Sequence, residues 1–139
     1  MRKLQVIVVL FAFSTMITGC RKGIDKVLIG TWNVTRVEGV LNSGGTSSAP
    51  VTDENPTGTI TFKGNGTGEQ NYSFEFFGTQ QQTGSFKWSA TEDLIIIERT
   101  TESDMEWTRI IDTENRQVAT YNILRNAEQN VDYTLTLEK

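Results

Sequence analysis

Apolar and polar side chains alternate along most of the chain after Lys26, and this alternation restricts the possible folds more than any other feature. Between residues 69 and 77, for example, Tyr72, Phe74 and Phe76 alternate with polar residues. A period of two is that of a β-strand with one buried face, and polar turn clusters about every ten residues are typical of all-β sandwiches and barrels. The sequence therefore predicts an all-β domain.

Eight strands are predicted, and they cover residues 29–38, 57–63, 69–77, 85–90, 94–99, 105–112, 118–125 and 131–139. Two glycine-containing polar segments, GNGTG at 64–68 and GTQQQTG at 78–84, are predicted to be turns. Short connections favour antiparallel pairing of consecutive strands, and an eight-stranded antiparallel up-and-down meander can close into a barrel without exposed edges. An open two-sheet sandwich is the alternative, but one aromatic-rich row per strand favours the barrel.

The first 19 residues have the layout of an export signal. Arg2 and Lys3 precede an apolar run that ends in small residues and Cys20. The run is shorter than the roughly 20 apolar residues that span a bilayer, so a cleaved signal peptide is favoured. The predicted organisation is a signal peptide at 1–19, an anchor and linker at 20–26 and one domain at 27–139.

The motif Ile17-Thr18-Gly19-Cys20 resembles the lipobox of bacterial lipoproteins. This resemblance implies that Cys20 becomes the acylated first residue of the mature chain and holds it on a membrane. In surface-exported lipoproteins of the Bacteroidota-like type, which this chain resembles, an acidic run follows the cysteine, whereas the sequence RKGIDK follows here. We therefore expect an outer-membrane anchor with the domain facing the periplasm.

Charge and composition exclude several functional classes. Removing Arg2 and Lys3 from the 13 basic residues leaves 11 against 17 acidic ones, a net charge of −6. Such a domain lacks the basic footprint of a nucleic-acid-binding protein. The absence of histidine removes the usual general base near neutral pH and the commonest zinc ligand. We predict no enzymatic activity, no metal site, no cofactor and no nucleic-acid partner.

The first predicted strand opens with the motif from Gly30 to Trp32. It resembles the Gly-x-Trp signature of the lipocalin superfamily, in which the tryptophan closes one end of the barrel. The segments LIGTWNVTRVEG, GTITFKGNGTG, GSFKWSATEDLIIIERT and YTLTLEK resemble, in this order, the lipocalin-like domains of small Bacteroidota lipoproteins. In lipocalins a basic residue late in the chain packs on this tryptophan, and Arg125 and Lys139 are both candidates.

Nine aromatic side chains are predicted to point into the barrel: Trp32, Phe62, Tyr72, Phe74, Phe76, Phe86, Trp88, Trp107 and Tyr133. A barrel of this size is either filled by its side chains or wide enough for one small ligand. Arg36 and Arg109 share the parity of inward residues on their strands, and a buried guanidinium needs an anionic partner. The partner is a ligand carboxylate, as resemblance to fatty-acid-handling barrels suggests, or an internal acid such as Glu38, unless a bulge turns the arginine to solvent.

The leading hypothesis is a lipid-anchored, non-enzymatic envelope protein that holds a small apolar or amphipathic ligand inside the barrel. Arg36 or Arg109 would bind the polar end of the ligand, and residues 42–56 would either cover the open end or form a flexible insertion. The predicted lining residues are Phe62, Tyr72, Phe74, Trp88, Trp107 and Tyr133.

The alternative hypothesis is a protein–protein interaction module with a filled barrel that docks on another envelope protein. Residues 94–97 are apolar on both faces of their strand, which predicts either outer cover or a contact surface. Ile95, Ile97 and Phe77 are the predicted contact residues. A filled core with an apolar outer patch on this strand would favour the interaction module, and an open cavity would favour ligand binding.

Overall fold

A computed structural model describes residues 23–139, so the predicted signal peptide and Cys20 lie outside the described residues. The strands are β1 (Gly30–Ser43), β2 (Thr46–Ser47), β3 (Val51–Asp53), β4 (Thr57–Phe62), β5 (Thr67–Glu75), β6 (Thr79–Ala90), β7 (Leu94–Arg99), β8 (Met105–Asp112), β9 (Arg116–Leu124) and β10 (Gln129–Glu138). Among residues 23–139 we find no helix with the length and apolar character that a membrane crossing requires.

Eight of these strands close into an antiparallel barrel. From β4 to β10 each strand pairs with the next, β4 also pairs with β1, and β10 returns to pair with β1. This confirms the predicted closed meander and excludes the open sandwich. All of these pairings are made within residues 23–139, so this part of the chain has its own hydrogen-bond network and core and can fold by itself.

The two ends of the barrel differ. At the closed end, β1 begins at Gly30 and residues 23–29 cross from β6 to β10. Gly23 bridges Ala90 at the end of β6, and Lys139 after β10 donates to the carbonyl of Val27. The open end carries the β1–β2, β5–β6, β7–β8 and β9–β10 connections.

The predicted inward row is confirmed, because all nine of its aromatic side chains are at most 4% exposed. Two glycines make room for two of the rings. A Cβ atom added at Gly39 would lie 2.4 Å from the ring of Phe76, and one added at Gly68 would lie 2.3 Å from the ring of Phe86. The alternation in the sequence therefore predicts correctly which aromatic side chains point into the barrel.

Residues 42–56 are neither a lid over the open end nor a flexible insertion. Gly44 and Gly45 form the two-residue turn between β1 and β2, and their φ angles of 56° and 81° suit a type I′ hairpin. The chain then runs back along β1, where Val51 pairs with Gly39. The glycines that give this segment a flexible composition are instead the residues that a tight hairpin requires.

Residues 79–84 form the first half of β6 and not the predicted turn. The chain reverses at Phe76, Phe77 and Gly78, and Thr79 then begins β6 opposite Glu75 on β5. Glutamine and threonine are polar enough to suggest a loop, but their backbone groups have ladder partners on β5. The pairing strand therefore decides the structure of this segment.

Ile95 and Ile97 point into the barrel, where they are 0% and 1% exposed. The prediction that they form an outer contact surface is wrong, because the inward parity of β7 begins at Ile95. Ile96 is the outward residue between them, and it too is buried. Phe77 is exposed, at the open end of the barrel.

Candidate functional site

Arg36 does not point into the barrel, so the hypothesis that it binds a ligand inside is wrong, and the alternative that a bulge turns it to solvent is confirmed. The pairing of β1 with β10 shifts register between Val34 and Arg36. This bulge reverses the parity of β1, so that Val37 is buried and the side chain of Arg36 is 44% exposed. Its guanidinium pairs with Glu38 and Glu54 on the outside of the barrel.

Arg109 is buried as predicted, at the closed end, with a side chain that is 2% exposed. Its Nη1 atom lies 2.6 Å from a carboxylate oxygen of Asp25 and donates to the carbonyl of Thr91 at 3.0 Å. Its Nη2 atom pairs with Asp112 and donates to Oε1 of Gln117 at 3.1 Å. Internal acids therefore supply the anionic partner, and a ligand carboxylate is not needed at Arg109.

The contacts with Arg109 change the pKa of Asp25. Burial alone would raise its pKa, but the hydrogen bond from Arg109, the backbone N–H of Val27 and the positive charge of Arg109 together lower the pKa of Asp25 below its usual value of 3.8. The ionised carboxylate therefore fastens the crossing segment to β8. This contact contributes to the closure of the barrel.

Trp32 closes this end of the barrel, as the Gly-x-Trp resemblance implies. Its side chain is fully buried, and its indole N–H donates to the carbonyl of Leu28 at 2.8 Å. The ammonium of Lys139 lies 4.4 Å from the centre of the Trp32 ring and donates to the carbonyls of Val27 and Ile29. Of the two candidate basic residues, Lys139 is therefore the one that packs on the tryptophan.

Arg125, the other candidate, lies at the opposite end. Its guanidinium lies 5.8 Å from the centre of the Phe76 ring, beside the β9–β10 turn.

The glycine of the Gly-x-Trp motif has a backbone role. Gly30, at the start of β1, has a φ of 131°, which an L side chain rarely adopts. The Gly-x-Trp motif thus combines a backbone requirement at the glycine with a packing role for the tryptophan.

The predicted lining residues pack against one another in two groups. Near the closed end, the ring of Phe62 meets the rings of Phe86 and Trp88 edge to face at 5.6 and 5.3 Å. Towards the open end, a second group of rings is linked by contacts of 4.8 to 6.1 Å. Its buried members are Tyr72, Phe74, Phe76, Trp107, Tyr121 and Tyr133. These contacts make the interior a packed aromatic core.

Polar atoms nevertheless lie inside this core. The hydroxyl oxygens of Tyr72 and Tyr121 are 3.5 Å apart and share one hydrogen bond. Burial raises the pKa of Tyr72 to about 12 and the pKa of Tyr121 well above 10, and the charge of Arg99 opposes both rises. Within residues 23–139 the buried indole N–H of Trp107 has no acceptor. The aromatic core therefore contains one N–H donor without a hydrogen-bond partner.

The barrel wall is interrupted beside this polar region, at the tip of the short β7–β8 hairpin. Residues 79–85 of β6 extend beyond the last β7 pairing, which joins Phe86 to Arg99. Residues 121–124 of β9 extend beyond the last β8 pairing, which joins Thr108 to Thr120. We call the resulting gap, bounded by these two strand ends and spanned by residues 100–104, the β7–β8 notch.

Two clefts flank residues 100–104 inside the notch, and a third, of about 490 Å³, borders Thr100 outside it, on the surface that carries Lys87 and Glu98. The cleft on the β9 side has a volume of about 480 Å³, and the cleft on the β6 side has a volume of about 240 Å³. Met105, Ile123 and Leu124 give the larger cleft an apolar wall. Arg99 lines both clefts of the notch, and it alone among their lining residues carries a positive charge.

Arg99 is the functional candidate that the sequence predictions missed. Its side chain is only 14% exposed, and its guanidinium pairs with Glu102 and donates to the carbonyl of Ser103 at 2.7 and 2.9 Å. A signal was present in the sequence, because Arg99 shares the parity of Ile95 and Ile97 on a strand without a bulge. The parity argument applied to Arg36 and Arg109 also selects Arg99.

Comparison with known protein families agrees with this architecture. A family model described as a lipocalin-like domain matches residues 28–138. Among solved structures, the bovine odorant binding protein deswapped triple mutant is similar, with 13% sequence identity and a TM-score of 0.49 over 81% of this chain and 74% of that one. No curated protein matches the sequence significantly. On the extent of the family match, the chain belongs to the family of lipocalin-like domains.

Proposed function

We propose that this protein is a non-enzymatic, lipid-anchored binding protein of the bacterial envelope that holds a small amphipathic molecule at the β7–β8 notch. The observation that carries the proposal is the interrupted wall, where the largely buried cation Arg99 lies between two clefts. The lipocalin-like fold supports it, since proteins with this fold are typically binding proteins and not enzymes. Small-molecule sites generally combine apolar walls with a few oriented polar groups.

The packed interior determines where the ligand lies. The larger cleft, of about 480 Å³, is within the range of about 300 to 1,000 Å³ that is usual for small-ligand pockets. The polar end of the ligand binds at Arg99, and its apolar part lies against Met105, Ile123 and Leu124. None of the predicted lining residues borders this cleft, because they stay packed in the core.

The proposed anchor is compatible with this orientation. Gly23, three residues after Cys20, is hydrogen-bonded to Ala90 at the closed end of the barrel. A lipid on Cys20 would therefore hold the closed end at the outer membrane and leave the notch facing the periplasm. Metabolic labelling with an alkyne palmitate tests the anchor: the full chain should incorporate the label, and Cys20→Ser should not.

A specific observation also favours the interaction module. The aromatic core is filled, and the open end exposes the apolar side chains of Phe77 and Leu124. Phe77 has a φ of 49°, a left-handed conformation that is uncommon for a bulky residue and that holds its ring out towards solvent. In this second candidate function, the rim of the open end is the contact surface.

Native mass spectrometry distinguishes the two functions. Residues 21–139, purified gently from the producing cells, should carry a stoichiometric small-molecule adduct that is lost on denaturation. Ile123→Trp fills the larger cleft and should abolish the adduct, whereas Ile110→Trp, at an exposed position on β8, should retain it. A bare mass with a co-purifying protein would contradict ligand binding and favour the interaction module.

A further inference from the structure

Arg99 is already paired with a carboxylate of its own chain. Glu102, three residues later, contacts the Nη1 atom of Arg99, while the N–H groups of Nε and Nη2 donate hydrogen bonds to the carbonyl of Ser103. The side chain of Glu102 is 62% exposed, in contrast to 14% for Arg99. Water can therefore reach the anion but not most of the cation.

We propose, on the basis of the function above, that Arg99 binds the carboxylate of a monoanionic amphipathic ligand and that Glu102 occupies this position until the ligand replaces it. The ion pair with Glu102 shows that the guanidinium is open to a carboxylate approaching from the notch. Charge-assisted hydrogen bonds between a guanidinium and a carboxylate are among the strongest that proteins form. A ligand carboxylate exchanges one such pair for another.

The charges around the notch restrict the ligand to a single negative charge. Asp104 and Glu102 line the larger cleft beside Arg99, and Asp132 lies on the neighbouring outer surface of β8 to β10. A phosphate dianion would meet these carboxylates with only one buried guanidinium to offset the repulsion. A monocarboxylate needs no second cation.

The rest of the ligand is restricted by the walls of the notch. The apolar side chains of Met105, Ile123 and Leu124 line the larger cleft next to Arg99. Tyr121 and Trp107, two residues from Ile123 and Met105 on β9 and β8, have rings that stack at 5.4 Å. The indole N–H of Trp107 has no acceptor among residues 23–139. This combination suits a carboxylate attached to a hydrocarbon chain or ring.

The test uses cis-parinaric acid, a fluorescent long-chain monocarboxylate, and its uncharged methyl ester as probes of residues 21–139. The acid should bind the unmodified protein more tightly than the ester does. Arg99→Gln should weaken binding of the acid about tenfold, which corresponds to about 1.4 kcal/mol, and leave the ester unchanged. Glu102→Gln should tighten the acid several-fold, because the competing carboxylate is gone.

Arg36→Gln is the matched control, since Arg36 is also paired with glutamates but lies on the outside of the barrel. It should change the binding of neither probe. Thermal unfolding followed by circular dichroism shows whether each variant is folded. If Arg99→Gln unfolds, Glu102→Gln still tests the proposal, because it alters an exposed side chain.

The outcomes separate this inference from the proposed function. If neither the acid nor the ester binds, ligand binding at the notch is contradicted and the inference is overturned with it. If both probes bind equally and Arg99→Gln changes nothing, the binding function stands and the role of Arg99 is overturned. A weaker affinity of Glu102→Gln for the acid would contradict the exchange of carboxylates.

Discussion

Asp25→Asn should destabilise the closed end of the barrel. The carboxylate of Asp25 lies 2.6 Å from Nη1 of Arg109, a residue whose side chain is 2% exposed, and its other oxygen accepts the backbone N–H of Val27 at 2.9 Å. Asparagine keeps the size of the side chain and removes the charge. The substitution therefore leaves a buried guanidinium with one anionic partner fewer.

The magnitude follows from the burial of the two partners. Removing one member of a buried ion pair destabilises a protein by about 3 to 5 kcal/mol. The side chain of Asp25 is 23% exposed, and Asp112 and Gln117 still contact Arg109, so we expect about 2 kcal/mol. In a domain of this size about 1 kcal/mol shifts the Tm by about 4 °C, so the Tm should fall by about 8 °C.

Glu54→Gln is the matched control. It removes one partner of Arg36, which is also an arginine paired with two acids, but here both side chains are largely exposed. Exposed pairs contribute about 0 to 1 kcal/mol, so the Tm should fall by at most about 4 °C.

Thermal unfolding of residues 21–139 at pH 7, followed by tryptophan fluorescence and circular dichroism, measures both variants. Hydrogen exchange adds a local measurement, because the amide of Gly23 is bonded to Ala90 and should exchange faster in Asp25→Asn. Equal Tm shifts in the two variants would refute the reasoning, since the buried pair would then contribute no more than a surface pair. Unchanged exchange at Gly23 would show that Asp25 does not hold the crossing segment.

Three further predictions concern a glycine, the C-terminal lysine and pH. Gly58→Ala should lower the free energy of unfolding, measured in urea, by about 2 kcal/mol or more, because φ at Gly58 is +106° and the added Cβ would lie 2.1 Å from a carbonyl oxygen of β5. Gly44→Ala is the control: an added Cβ there has no atom within 4 Å, so the free energy of unfolding should fall by only about 1 kcal/mol. Lys139→Met removes a cation from the closing tryptophan and should lower stability by about 1 kcal/mol and change its fluorescence, whereas Lys87→Met, at an exposed position, should do neither. Because its pKa is lower in the folded state, ionised Asp25 stabilises the fold; this stability is fully present above about pH 3.8 and is lost as the pH falls through the folded-state pKa. As the pH is lowered below 4, the urea concentration at the unfolding midpoint should therefore decrease less for Asp25→Asn than for the unmodified protein.

The alternation of inward and outward side chains along each strand predicted the barrel interior well. Applied to the arginines at positions 36, 99 and 109, it gives the wrong orientation for one. Arg99 and Arg109 follow the inward parity of their strands, whereas the bulge before Arg36 reverses the parity of β1. That bulge is defined by pairing with Thr136 on β10, about a hundred residues away in the sequence. No local pattern in β1 reports it, so the orientation of Arg36 depends on tertiary structure.

Composition misled the sequence predictions at two connections, in opposite directions. Gly44 and Gly45 have the composition of a flexible segment but form a tight hairpin turn. Residues 79–84 have the composition of a turn but form part of a strand. In both cases an available partner strand pairs with the backbone groups. A polar composition indicates that a segment is exposed, but both loops and the outward-facing residues of barrel strands are exposed. Composition alone therefore does not distinguish the two.

The two buried arginines differ in the exposure of the acids that pair with them, and this difference assigns them separate roles. Asp25 is mostly buried and is tied to its own backbone, so replacing it at Arg109 would open the closed end. Glu102 is mostly in water, and exchanging an exposed partner changes the free energy by only about 0 to 1 kcal/mol. In the proposed function, a ligand carboxylate can therefore compete at Arg99 but not at Arg109, so we expect substitutions at Asp25 to lower stability and substitutions at Glu102 to change binding.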